Sequence, residues 1–212
     1  TLLHNQLYLS KQILDSNIFV ILGYKSEIVS RQISVPYIIY KDWDKSNMVG
    51  TLLHGLREIN LSNDDLLITY GDCYYSAPFF DSLASLTFPY IHLPLLSDWL
   101  FQWSSRYSDP LSDLESLLLD KHGFLVSIGS RPLSFDEIHG QFSGSFIVPL
   151  SLLASFESAL TKLFSRNPQI DVTSVLNYLL NSSRISSHML PPSSCYEVDT
   201  EEDYNFLLKQ LN

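Results

Sequence analysis

Cysteine is nearly absent. The 212 residues contain two, Cys73 and Cys195, spaced neither as CxxC nor as a dense framework, and a core of this size needs no staple. Both read as free thiols in a reducing compartment. No run of about 18 apolar residues occurs, the longest being segments such as residues 18–22, so no membrane span is expected. The N-terminus lacks a charged stretch followed by an apolar one, and the cytoplasm is the expected location. The six histidines are scattered without HxH or HExxH spacing, which argues against zinc. GxSxG, Walker A and kinase-type glycine loops are missing too, which removes serine hydrolases and P-loop enzymes.

What is present is ordinary globular composition, 45% hydrophobic and 17% charged, enough for one domain over residues 1–212. Thirteen Lys and Arg stand against 23 Asp and Glu, a net charge of -10. Such a field repels DNA and RNA, so long nucleic acid is not an expected partner. A small nucleotide is still admissible, because a divalent cation on a few carboxylates reverses the local potential where phosphates sit.

Helical and strand patterns alternate along the chain. Residues 1–15 place Leu3, Leu7, Ile13 and Leu14 near one helical face, and NIFVILG follows as a short apolar run. KSEIVSRQI reads as helix, PYIIY as strand, NMVGTLLHGLREI as helix, and DDLLITYGD as an apolar run ending on an acid. A helix at about residues 77–86 leads to a strand in FPYIHLPL, while residues 97–113 fit neither period. ESLLLDKHGFLVSIG predicts a hairpin turning at Lys121-His122-Gly123. SGSFIVP and ISSHML are strand-like, residues 150–164 and 172–180 helical, and TEEDYNFLLKQL closes the chain as a helix with a Thr200–Asp203 capping box. The expectation is an α/β, Rossmann-like fold: a mostly parallel central sheet, helices on both faces, and a small antiparallel hairpin over the active site.

Three constellations carry candidate chemistry. Gly71-Asp72 closes an apolar run, and ligands of open α/β sheets bind outside the carboxyl ends of strands, where an Asp is a good hard ligand for Mg²⁺. Asp72 as a plain turn or cap residue is an equal alternative. In CYEVDTEEDY an extended piece presents Glu197 and Asp199 on one face, although Asp199 also suits a cap of the last helix, with Glu201, Glu202 and Asp203 complementing its dipole. In SDWLFQWSSRYSDP, aromatic faces with nearby acids suit an alkylammonium group and Arg suits a phosphate, but Trp99 and Trp103, four apart, better suit one turn of helix anchored in the core.

In order along the chain, ILGYKSEIV, WDKSNMVGTLLHGLREI, DDLLITYGDCYYS and CYEVDTEEDY resemble the motifs of the nucleotidyltransferase family. Within it, the W...R...DPLSD...E run resembles the substrate half of phosphocholine and 2-aminoethylphosphonate cytidylyltransferases. The resemblance implies attack of an acceptor phosphate or phosphonate oxygen on the α-phosphorus of CTP, with Mg²⁺ on Asp72 and Asp199 and pyrophosphate leaving. It places Asn47, Gly50, Thr51 and Gly71 at the nucleotide. It also places Arg106 and Arg131 at the acceptor's anion, Trp99, Trp103 and Tyr107 around its amine, and Glu197 at the metal or the ammonium. The family opens with a strand and a G-x-G-x-R loop that cradles the triphosphate, and TLLHNQL resembles the helix after that loop, about 20 to 25 residues on. Two other readings stand beside this one: a sugar-1-phosphate nucleotidyltransferase, and a non-catalytic nucleotide-binding relative. The sequence leaves the oligomeric state open, a homodimer being one arrangement it allows.

Overall fold

The computed structural model describes residues 1–15, 17–59, 64–84 and 86–211. The elements are α1 (Leu2–Leu14), β1 (Val20–Leu22), α2 (Ser26–Val29), β2 (Tyr37–Ile39), α3 (Met48–Glu58), β3 (Leu66–Thr69), β4 (Cys73–Tyr75), α4 (Ala77–Ala84) and β5 (Ile91–Leu96). They continue with α5 (Trp99–Arg106), β6 (Leu117–Leu119), β7 (Leu125–Ile128), β8 (Gln141–Phe142), β9 (Ser145–Val148), α6 (Leu150–Phe164), α7 (Val172–Leu179), β10 (Ile185–Met189), β11 (Cys195–Glu197) and α8 (Glu201–Gln210).

The main sheet runs β10-β5-β9-β3, with β8 also on β5. Every residue of β5 and of β9 is buried, because side chains alternate between two covered faces. Phe146 and Val148 point into a cluster with Phe156 and Leu160 of α6 and Val175 and Leu176 of α7. Ile147, between them in sequence, joins the opposite cluster with Phe79, Phe80 and Leu83 of α4. Burying a side chain such as Phe146 contributes about 2 to 3 kcal/mol.

The α/β class holds, but the mostly parallel sheet does not. β10 and β5 are parallel, whereas β9 runs antiparallel to both β5 and β3, and β8 antiparallel to β5. Unbroken apolar runs report burial on two faces, and a covered antiparallel strand such as SFIV satisfies that pattern as well as a parallel one. β1 and β2 form a separate parallel pair. The hairpin forms as β6 and β7, with Gly123 at φ +80° in its turn, and packs chiefly on α7 and β10. Residues 97–113 turn out to include α5, whose aromatic-rich two turns carry too few apolar periods to read as helix. Among the described residues no helix is long and apolar enough to cross a membrane.

Between β5, β10 and α4 lies a polar chain inside the core. The His92 imidazole is 7% exposed; its Nδ1 is 2.8 Å from Ser186 Oγ and its Nε2 2.7 Å from His188 Nδ1, while His188 Nε2 is 3.2 Å from Ser82 Oγ. A hydrogen bond between two ring nitrogens needs one of them without a proton, so the two imidazoles cannot both be charged. Burial, with His188 adding, depresses His92 to about 4, and burial lowers His188 as well. A histidine whose folded value lies below its unfolded value, about 6.5, leaves stability intact above that pH and removes it as the pH falls toward 4. His92 alone therefore removes about 2 kcal/mol between pH 7.5 and pH 5. In urea titrations at those two pH values, His92→Gln should show a smaller pH-dependent loss than the parent; an equal loss would refute the assignment.

Candidate functional site

Asp72 sits in the two-residue turn between β3 and β4, and the turn is held from both sides. From α1, the buried Gln6 amide donates to the carbonyls of Tyr70, at 2.8 Å, and Cys73, at 2.7 Å, while Asn5 Nδ2 donates to the Tyr75 carbonyl at 2.7 Å. From the other side, Tyr70 N–H donates to the Gly144 carbonyl and the buried Tyr75 hydroxyl to the same carbonyl at 2.9 Å. Gly144 lies at φ +67°, and a Cβ there would sit 2.9 Å from Cys73 Sγ, so only glycine fits. Gly71 has open space where a Cβ would go, leaving the approach to Asp72 uncrowded.

The other acids arrive through β4 and β11. These pair antiparallel with Glu197 opposite Cys73, and Val198 N–H donates to the Asp72 carbonyl at 3.0 Å. Residue 72 is thereby fixed beside residues 197–199. Beyond β11 the capping box forms as the sequence suggests: Asp203 N–H donates to Thr200 Oγ1, and Asp203 Oδ2 accepts from Thr200 N–H at 3.0 Å and from Asp199 N–H at 3.2 Å.

Carboxylates outnumber cations here. Burial raises Glu197 to about 7, with Asp199 and Asp72 adding and Arg106 opposing. Burial also raises Asp199, again with Asp72 adding and Arg106 opposing. Asp203 differs: burial pushes it up, but hydrogen bonds from Arg106 and Thr200 prevail and hold it below its usual value. Among the described residues no three His, Cys, Asp or Glu side chains are gathered closely enough to hold an ion unaided. The two thiols beneath the pair are free and buried, and the hydrogen bond with Cys195 followed by burial keeps Cys73 well above its ordinary value.

The aromatic segment is arranged otherwise than expected. Trp103 is 6% exposed, with its indole N–H on Asp113 Oδ2 at 2.9 Å. The guanidinium of Arg106 lies 5.4 Å from the Trp103 ring and 5.3 Å from the Tyr107 ring, so the cation against these aromatics belongs to the protein. Arg106 Nε donates to Asp203 Oδ1 at 2.6 Å, and its other nitrogens approach Glu197 at 3.8 Å and Asp199 at 3.9 Å. Arg106, expected at an acceptor's anion, faces three carboxylates of the protein itself. Trp99 is half-buried at the start of α5, 6.0 Å from the Phe135 ring, and Arg131 is exposed on the loop between them in sequence.

The expected nucleotide contacts lie on α3. Asn47 caps that helix, accepting from Met48 N–H, and its amide N–H groups reach residues 168 and 169. Gly50 is buried, and a Cβ there would come 2.9 Å from the Phe164 ring, so its smallness is used by the packing of α3 on α6. Thr51 is half-buried. The structure thus draws Asp72, Glu197, Asp199 and Arg106 together. Gln6, Asn5 and Asp203 escaped sequence reasoning as site residues; the available signal was a polar Gln6 on the face that Leu9 and Ile13 bury.

The fold is that of known nucleotidyl-transferring α/β enzymes. It matches an inositol-1-phosphate CTP transferase from T. maritima with TM-score 0.74 and 15% identity, over 99% of this chain and 81% of that one. It matches a CTP:phosphocholine cytidylyltransferase from Streptococcus pneumoniae with TM-score 0.72 and 15% identity, over 100% and 85%. In sequence the chain is 28% identical over 140 residues to a CTP:phosphoglutamine cytidylyltransferase from Campylobacter jejuni, covering 62% of this chain and 54% of that protein. It therefore spans about half the length of that curated relative. No protein-family model matches. In fold and in part of its sequence the chain is similar to these nucleotidyltransferases.

Gln6→Leu leaves the Tyr70 and Cys73 carbonyls without their donor, at a cost of about 2 kcal/mol. Urea unfolding checks this. An unchanged midpoint would mean that α1 does not hold the Asp72 turn.

Proposed function

We propose that the protein is a Mg²⁺-dependent cytidylyltransferase that joins CTP to a small phosphorylated acceptor and releases pyrophosphate. The observation that supports it most is the β4–β11 pairing, which seats Asp72 beside Glu197 and Asp199 in a fold otherwise matched by two CTP-using enzymes. Asp72 and Asp199 would hold Mg²⁺, which would supply neutralisation of the charge that develops in the transition state. The chain's own contribution is positioning. Gln6 and Asn5 hold the Asp72 turn, and Asp203 holds the Asp199 backbone. Glu197 adds negative charge at the same point. Asn47, Thr51, Gly50 and Gly71 are proposed to border the nucleotide, with α3 carrying the first three.

For the acceptor, the phosphate is the constant feature: the relatives are described as acting on phosphoglutamine, inositol 1-phosphate and phosphocholine. With Trp103 and Tyr107 facing Arg106, the phosphocholine or 2-aminoethylphosphonate preference rests on Trp99 alone, with Arg131 offered to the anion. The buried Trp103 favours the second reading, a sugar-1-phosphate acceptor.

A pyrophosphate-release screen on the full-length protein, CTP and the other nucleoside triphosphates against phosphoglutamine, phosphocholine, 2-aminoethylphosphonate and sugar phosphates, tests the proposal. The expected result is acceptor-dependent release that prefers CTP, needs Mg²⁺ and falls at least about 10²-fold in Asp72→Ala. Release with no pair, alongside nucleotide binding by calorimetry, would overturn it in favour of a non-catalytic relative.

A further inference from the structure

Arg106 is used by nothing in the proposed function, yet its guanidinium faces three carboxylates. Its side chain is 6% exposed, and its guanidinium stands among Glu197, Asp199 and Asp203. The three approaches are unequal. Asp203 takes a direct hydrogen bond at 2.6 Å, whereas Glu197 and Asp199, at 3.8 and 3.9 Å, are beyond hydrogen-bond distance. A guanidinium in hydrogen-bond contact would take up a lone pair of each acid. At the observed distance it attracts them while leaving their oxygens free for another cation.

The same group also holds the backbone of the acid segment. Arg106 Nε fixes Asp203 Oδ1, and Asp203 Oδ2 in turn accepts the Asp199 and Thr200 N–H groups. The chain Arg106–Asp203–Asp199 thus ties α5 to the junction of β11 and α8. Contacts with the faces of Trp103 and Tyr107 set the plane of the guanidinium. A lysine ammonium at this place keeps the charge but has neither the fork nor the plane.

We propose that Arg106 is a positioning residue for divalent-cation binding: it fixes Asp199 through Asp203 and draws Glu197 and Asp199 together without consuming their oxygens. The inference rests on the cytidylyltransferase reading in taking Asp199 as a metal ligand.

Mn²⁺ titrations of the full-length protein with CTP present, followed by electron paramagnetic resonance of the free ion, test it on the parent, Arg106→Lys, Arg106→Met and Asp199→Asn, each with a thermal melt. Arg106→Lys is expected to remain folded, within a few degrees of the parent, and to bind Mn²⁺ about tenfold more weakly; Arg106→Met, where it folds, is weaker still. Rebinding at parental affinity in Arg106→Lys, or tighter binding in Arg106→Met, would overturn the proposal, the latter by showing simple charge repulsion. A parent that binds no more Mn²⁺ than Asp199→Asn would overturn the metal reading itself, which separates the two failures.

Discussion

The site depends on a short antiparallel contact, Cys73–Tyr75 against Cys195–Glu197. The two segments lie more than 120 residues apart, and this register alone puts the Asp72 turn beside Glu197 and Asp199. A slip of one residue would turn each side chain to the opposite face. The register is secured from below by buried groups: Cys73, Tyr75, Cys195 and Tyr196 are each 2% exposed or less. The Tyr75 hydroxyl and the Cys195 thiol both bond the 143–144 carbonyls. The cysteines matter for their size and burial, and the Cys73 thiol is held well above its ordinary value.

Crowded carboxylates are costly to assemble, because each acid disfavours the charge on the next. The protein meets that cost only in part. Arg106 balances one charge and is spent mainly on Asp203, while burial first, and the neighbouring acids after it, keep Glu197 and Asp199 raised. A site left short of positive charge in the free protein favours a substrate that arrives with a divalent cation. The aromatics of α5 serve the same arrangement. They steady the arginine, which explains a W-x-x-R-Y sequence better than an alkylammonium cage does.

Element types were largely legible in the sequence, since buried strands and amphipathic helices announce themselves by period, and the Thr200–Asp203 capping box by its spacing. Strand direction was not legible: SFIV is equally apolar in either orientation, and β9 proved antiparallel. α5 was lost because Trp, Gln and Ser on two turns blur the helical period. The acids of the site were readable, as polar residues closing apolar runs. Arg106 was seen but assigned outward, since sequence offers no way to know that Asp203, 97 residues later, would meet it first. Gln6 showed only as a polar residue on a buried helical face, because its partners, the Tyr70 and Cys73 carbonyls, are distant in sequence.

The central claim is that Asp72 and Asp199 act as one unit. A double-mutant cycle on kcat/KM for pyrophosphate release, with Asp72→Asn, Asp199→Asn and the pair, tests it most directly. Residues that serve one ion lose their effect together, so the double variant should be little worse than the poorer single one. Losses that multiply in the double variant would show two independent roles and contradict the account.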